Sequence, residues 1–298
     1  MFENACNNNY YIFKCFFEEC ERNGAIYIKS ISKICTLLEK CTFNSCSSTN
    51  MGGSVYLGCS SEEAHFVQQQ NCYYESTSDS YDMAFSQFVK TGSSNKNFAY
   101  DISVSKCNVR ESKGTRTFDI SFGDLHYANN NITNNKNKEK SSISSSFSGS
   151  TWICNFSTFL GNDQTGSRSL SFYTLSNSLI QKISYCNVIR NRCGEDNNQV
   201  LFTSWYRTDV NHSTFLNNTA VYMFEHVGEG YTLTISNSFV ESMSKLGSVT
   251  FPDPKENYDF NNFSHFDQIK CLINYKKISN GFSNLSNLGK TFAAELIS

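Results

Sequence analysis

Short apolar runs, interrupted by small polar residues, recur from one end of this 298-residue chain to the other. Each unit places an apolar residue two positions after a small or sulfur-bearing one and three positions before a Cys, Asn, Ser or Thr. The apolar positions are Phe17, Phe43, Tyr74, Val109, Ile132, Phe159, Val188, Phe215, Phe239 and Ile273. Ahead of them stand Cys15, Cys41, Cys72, Cys107, Asn130, Ser157, Cys186, Ser213, Asn237 and Cys271. Behind them stand Cys20, Cys46, Thr77, Ser112, Asn135, Asn162, Asn191, Asn218 and Ser242, with Lys276 breaking the rule. Self-similarity at intervals of 23 to 35 residues marks a solenoid. Side-chain direction alternates along a strand, so the first two positions of a unit share a face, and each unit predicts a strand followed by a polar turn.

Second strands follow the turns. Ala25 to Ile28, Ser54 to Leu57, Met83 to Phe85, Phe118 to Phe122, Leu170 to Phe172, Tyr222 to Phe224 and Val249 to Phe251 carry apolar residues at alternate positions, a period of two and not of 3.6. Stretches such as Ile31 to Leu38 and Ile180 to Ile183 supply a third side. A coil of about 25 residues built this way buries its apolar side chains only by stacking on its neighbours through parallel pairing. The fold class predicted is all-β, a single-stranded right-handed parallel β-helix of about ten coils. Asn tolerates tight turns and bonds the nearby backbone. Asn135, Asn162, Asn191 and Asn218, at one position of four consecutive units, therefore predict an internal amide ladder.

Composition fits a turn-rich β chain: aromatics make up 14%, charged residues 17%, and the two prolines are Pro252 and Pro254. A solenoid grows by adding coils, so 298 residues need not divide. One elongated domain is expected over 1–276, with loops near 129–150 and 252–267: the first is read as one weak coil with a flexible loop at Lys136 to Lys140, the second as a protruding loop. Residues 277–298 lose the repeat. Within them Gly289 to Ile297 predicts a short capping helix, because an open stack end exposes unpaired strand edges.

Thirteen cysteines leave at least one thiol unpaired in a monomer. Cys15, Cys41, Cys72 and Cys107 repeat one coil position, and Cys20 and Cys46 another. Stacked strands hold Cβ vectors parallel and too far apart for good disulfide geometry, so ladders of buried thiols are expected. No C-x-x-C pair or flanking His supports a zinc site, and no metal or cofactor is expected.

Asn23-Gly24-Ala25-Ile26 and Gly52-Gly53-Ser54-Val55 resemble the GGA-[I/L/V] motif, and Phe159-Leu160-Gly161-Asn162 and Phe215-Leu216-Asn217-Asn218 the companion FxxN motif. Together they are similar to the repeats of the polymorphic outer-membrane-protein type, found in bacterial autotransporter passengers and cysteine-rich protist surface proteins. The resemblance implies a right-handed β-helix acting as an adhesin, at a cell surface or secreted. Met1 to Cys6 begins no secretory signal, and no stretch approaches the ~18 apolar residues of a membrane span.

The same fold also houses pectate lyases and polygalacturonases, whose hydrolytic members need two carboxylates facing each other across a sugar. Asp119, Asp124, Asp163 and the pair Glu195-Asp196 form no repeating cluster, and the Asp-Asp, Gly-His-Gly and Arg-Ile-Lys elements of a polygalacturonase are missing. His65, His126, His212, His226 and His265 are scattered. His212 adjoins Ser213, but the repeat position of Ser213 explains it better than nucleophilic catalysis. Gly228-Glu229-Gly230 lacks the third glycine of a phosphate loop. With a net charge of -2, nucleic acid is not an expected partner. Trp205-Tyr206 could stack on a sugar. Six Asn-x-Ser/Thr sequons, at Asn131, Asn155, Asn211, Asn217, Asn262 and Asn284, carry glycans only on a secretory route. The sequence thus points to a non-enzymatic binding or adhesion protein with a protein or glycan ligand and no assigned catalytic residue. A carbohydrate-active enzyme, or a purely structural piece of a larger surface array, are the alternatives.

Overall fold

A computed structural model describes residues 2–3, 8–30, 33–61, 64–79, 82–88, 95–107, 116–138, 141–164, 168–174, 179–194 and 199–265. Their regular structure is all strand, and the strands pair in parallel with equivalents one coil away. The chain is a parallel β-solenoid. Each coil has a first side, exemplified by Ile26–Ser30 and Val55–Cys59, and a second side, exemplified by Ile34–Glu39 and Ala64–Gln69. The two merge where Arg116–Ala128 and Ile143–Asn155 run across both without a break. A third side is a separate sheet of nine short strands, among them Thr42–Asn44, Cys72–Tyr74 and Thr158–Leu160. Two-residue strands such as Ser47–Ser48 and Asp163–Gln164 complete some coils. Among the described residues, fewer windings are present than the ten units read from the sequence.

The third side fixes the register. Phe17, Phe43, Tyr73, Val104, Ile132, Phe159, Val188, Phe215 and Val240 form one inward column. The rings of Phe17 and Phe43 stack at 5.0 Å and those of Phe43 and Tyr73 at 4.9 Å, both nearly parallel. That separation is the strand spacing itself, so identical side chains above one another pack face to face without leaving their rotamers. Three anchors of the sequence reading are corrected. Tyr73, not Tyr74, points inward; Val240, not Phe239, ends the column; and Val104 takes the place assigned to Val109, which lies outside the described residues, as does Ile273. A slip of one residue turns a side chain to the opposite face. Tyr74 accordingly faces out, with the Lys106 ammonium 5.5 Å from its ring centroid.

Two corners bracket each third-side strand, and both are built alike. At the second corner the Nδ2 of Asn135 donates to Oδ1 of Asn162 at 3.0 Å, Asn162 to Asn191 at 2.9 Å, and Asn191 to Asn218 at 3.1 Å. Each amide also donates to a carbonyl of the preceding coil, as Asn162 does to Ile132 at 2.9 Å, and each Oδ1 accepts a backbone N–H from that coil. The expected amide ladder is therefore present, and it satisfies corner backbone that burial has cut off from water. The left-handed residue is not the Asn but the one before it: Asn134, Gly161, Arg190 and Asn217 have φ between 52° and 63°.

Earlier coils place sulfur and hydroxyl groups in the same columns. Cys20, Cys46, Ser76 and Cys107 precede Asn135 at the second corner. At the first corner the column runs Cys15, Cys41, Asn71, Ile102, Asn130, Ser157, Cys186, Ser213 and Ser238. Two cysteine assignments change: Asn71 holds the place given to Cys72, and Cys107 belongs to the second corner. Cys41 Sγ donates to the Ile12 carbonyl at 3.5 Å, doing weakly what Asn71 Nδ2 does to Leu38 at 2.8 Å. Ten cysteines among the described residues are free thiols, while Cys72 is disulfide-bonded.

The glycine motif marks a close approach. A Cβ on Gly24 would collide with the Gly52 carbonyl oxygen in the next coil, and one on Gly53 with that of Thr77. Gly24 also has φ of 73°, and its N–H donates to Ser47 at 3.1 Å.

Two loop expectations are revised. Lys136–Asn137 form a strand paired with Asp163–Gln164 where the flexible loop was expected, and Ile143–Asn155 is one of the two longest strands among the described residues. Residues 252–265 do not protrude; they run back as a strap over the outer face of the third side, where the Lys255 N–H donates to the Ser238 carbonyl at 3.0 Å, the Thr214 hydroxyl to the Asp259 carbonyl at 2.9 Å, and the Asn261 N–H to Asn187 Oδ1 at 3.2 Å. The capping helix over 289–297 falls outside the described residues, as does the whole 277–298 tail.

Candidate functional site

The carboxylates named from the sequence are dispersed. Asp119 is fully buried on the first side, 2.5 Å from the Arg116 guanidinium and accepting the Ser121 hydroxyl at 2.7 Å. Asp124 stands on the second side in register with Lys96. Asp163 lies in the three-stranded sheet between Lys136 and Arg192. Glu195-Asp196 is outside the described residues. A buried carboxylate clasped by a guanidinium is a structural group.

The histidines do not converge either. His226 bonds the Tyr206 carbonyl at 2.8 Å, and His212 stacks on Tyr185 at 4.9 Å. Ser213 accepts from the Cys186 N–H at 3.1 Å and donates to the Asn211 carbonyl at 3.0 Å, which is a corner-ladder role. Trp205 and Tyr206 are half-buried, with the Tyr206 ring edge-on to Tyr231 at 5.2 Å. Among the described residues no group of three His, Cys, Asp or Glu could hold a metal ion. Burial pushes the thiols of Cys41, Cys46 and Cys107 up to about 12, leaving them protonated and poorly nucleophilic at neutral pH.

Two outward features stand out. The first is a column on the second side that the alternating pattern should have made polar: Tyr11, Leu37, Val67, Phe98, His126 and Ile153, in register over six coils. Five strand spacings make it about 24 Å long. Tyr11 is 60% exposed and stacks on Phe13 at 5.5 Å. The Phe98 ring lies 4.5 Å from that of His126, which contacts the Tyr100 hydroxyl at 3.4 Å. Burial among these rings lowers the His126 pKa against the opposing pull of Asp124, favouring a neutral, apolar imidazole. Beyond Ile153 the column turns polar through Lys182, Asp209 and Thr234.

The second feature is a cleft of ≈ 1170 Å³ beside the second corner, lined by Glu19, Glu21, Glu75, Asp79 and Lys106 among others. The left-handed corner residues Glu19, Ser45, Glu75, Lys106 and Asn134 line it from five successive coils. All four carboxylates are exposed. The sequence reading missed both features, because the units were aligned on their inward residues alone.

Comparison with protein-family models, with curated proteins and with solved structures returns no match for this chain. Among the described residues, no helix is long and apolar enough to cross a membrane.

Proposed function

We propose that this β-solenoid is a non-enzymatic binding protein of the adhesion type, and that the apolar column of its second side is the face that meets a protein or glycan ligand. The column from Tyr11 to Ile153 supports this reading. A parallel sheet holds its side chains at fixed spacing, so a row of aromatic and aliphatic groups is pre-organised and loses little entropy on contact. Tyr11 is exposed and the other five are half-buried, and a contiguous solvent-facing apolar row of this kind marks an interaction site. Aromatic rings at such spacing suit both sugar faces and apolar protein surfaces. The short GGA-like and FxxN-like motifs support kinship with surface-exposed repeat proteins of the polymorphic outer-membrane-protein type.

The acidic cleft favours a carbohydrate-active enzyme only in part. It brings carboxylates into one lateral groove, but a general acid needs a carboxyl held protonated by a dry environment, and these four are open to water. The test is localisation with a binding readout. Tagged full-length protein should stain on unpermeabilised cells, and Phe98→Ser should cut binding of the purified protein to intact cells by about tenfold with an unchanged circular dichroism spectrum. Strict intracellular retention, or equal binding by the variant, contradicts the proposal.

A further inference from the structure

Both corner columns carry paired thiols in their early coils. At the first corner Cys15 stands over Cys41, and the two coils are joined there by the Thr42 N–H donating to the Cys15 carbonyl at 2.9 Å. At the second corner Cys20 stands over Cys46, where the Ser47 N–H donates to the Cys20 carbonyl at 2.7 Å. All four are free thiols; Cys41 and Cys46 are sealed in the core, while Cys15 and Cys20 are half-buried. Each pair therefore has one inner sulfur and one that solvent reaches. Within each pair the thiols meet, Cys41 with Cys15 and Cys46 with Cys20.

The other bonds these thiols make are weak. Cys15 donates to the Phe13 carbonyl at 3.5 Å, Cys20 to Glu18 at 3.8 Å, Cys41 to Ile12 at 3.5 Å and Cys46 to Phe17 at 3.7 Å. A thiol is a poor donor, so little is lost when something else takes the place of its proton.

The spacing says what that could be. Equivalent atoms of adjacent coils repeat at about 4.8 Å. A disulfide requires its sulfurs at about 2.0 Å. Two thiolate–metal bonds of about 2.3 Å, laid end to end, span about 4.6 Å. A pair of stacked thiols thus fits one ion held in line between two sulfurs. Zinc asks for four ligands, and among the described residues no third His, Cys, Asp or Glu joins either pair. Two soft sulfurs beside an apolar core select a soft monovalent ion, Cu(I), over the harder divalent ones.

The inner sulfurs are also prepared for negative charge. Burial holds the Cys41 and Cys46 thiols up at about 12, against a pull toward the thiolate from the N–H groups of Cys15 and Cys20. Once an ion displaces the protons, those N–H groups remain to offset part of the charge on sulfur. Cys154 and Cys186 form a third thiol contact, but both are fully buried and give an ion no entry.

We infer that Cys15 with Cys41, and Cys20 with Cys46, are two linear Cu(I)-binding sites that tie neighbouring coils together. At each site two thiols release two protons to solvent, two Cu–S bonds form, and copper stays in the +1 state. This activity is separate from the apolar face of the second side and does not depend on it.

The test is an anaerobic titration of the folded full-length protein with Cu(I) in the presence of bicinchoninate, whose coloured copper complex reports any ion the protein fails to hold. The unsubstituted protein should withhold two ions. Cys15→Ser and Cys20→Ser should each withhold one, and the double variant none. Cys193→Ser should still withhold two, because Gln164 and not a cysteine is its register neighbour. Serine already serves these corners at Ser157 and Ser213, so the variants should keep the circular dichroism spectrum of the parent. X-ray absorption at the copper edge should show two sulfur neighbours per ion. Failure of the unsubstituted protein to withhold copper overturns the inference, as does retention unchanged in the double variant or a copper centre with three or more sulfurs.

Discussion

Phe159→Ala lowers the unfolding free energy by about 3 to 5 kcal/mol, measured by chemical denaturation. Phe159 is 1% exposed, in a middle coil, with Ile132 and Val188 as its register neighbours in the adjacent coils. Both neighbours are held by their own strand pairing, so neither can slide in to fill the space left by the ring. The loss therefore contains the transfer free energy of the ring and a further cost for the cavity. Tyr185→Ala removes a ring of similar size from the exterior of the next coil, where Tyr185 is 38% exposed and stacked on Phe156 at 5.3 Å. Its effect should stay near 1 kcal/mol, the scale of a partly exposed stacking pair. Equal losses for the two substitutions would mean that the inward column is not the core.

Asn162→Ala has the second largest effect, about 2 to 5 kcal/mol by the same measurement. The amide accepts the Asn135 backbone N–H at 3.1 Å and donates to the Ile132 carbonyl at 2.9 Å, and both sites are sealed from water. Removing it orphans a buried donor and a buried acceptor, each costing about 1 to 3 kcal/mol. Asn191 Oδ1 keeps its bond from the Asn162 backbone N–H at 3.1 Å, so the damage stays local. Asn162→Ser should recover part of the loss, because Ser157 and Ser213 show that a hydroxyl can serve a corner of the same kind.

Much of the architecture was legible because each coil repeats the same physical problem. The FxxN spacing of Phe159 to Asn162 and of Phe215 to Asn218 holds one inward core residue and the corner amide that closes the strand, and both matches proved structural. The glycine pairs were legible for an equally local reason, a corner too tight for a Cβ. Misreadings occurred where two residues competed for one place. In Cys72-Tyr73-Tyr74 the cysteine resembled its ladder neighbours and drew the alignment one residue late, while the true corner residue, Asn71, preceded it. Cys107 fitted either corner, and taking it for the first displaced the inward anchor from Val104 to Val109.

The outward features were harder to see. Leu37, Val67, Phe98 and Ile153 are separated in sequence by whole coils, and only the register of the second side puts them in one row. Alternation along each strand announces which residues point outward, but not that their column stays apolar over six coils, from Tyr11 to Ile153. The strap was read as a protruding loop because Pro252-Asp253-Pro254 breaks the pattern. Its attachment runs through hydrogen bonds with Asn187, Thr214 and Thr158, residues that carry no distinctive motif.

The central claim is that like positions of successive coils lie above one another. Nuclear Overhauser contacts from the Phe159 ring protons, in a sample with labelled Ile and Val methyl groups, test it most directly. The account predicts strong cross-peaks to the methyls of Ile132 and Val188 in the neighbouring coils. Their absence, with the ring in contact instead with methyls of coils further away, would contradict the stacked register and the binding face derived from it.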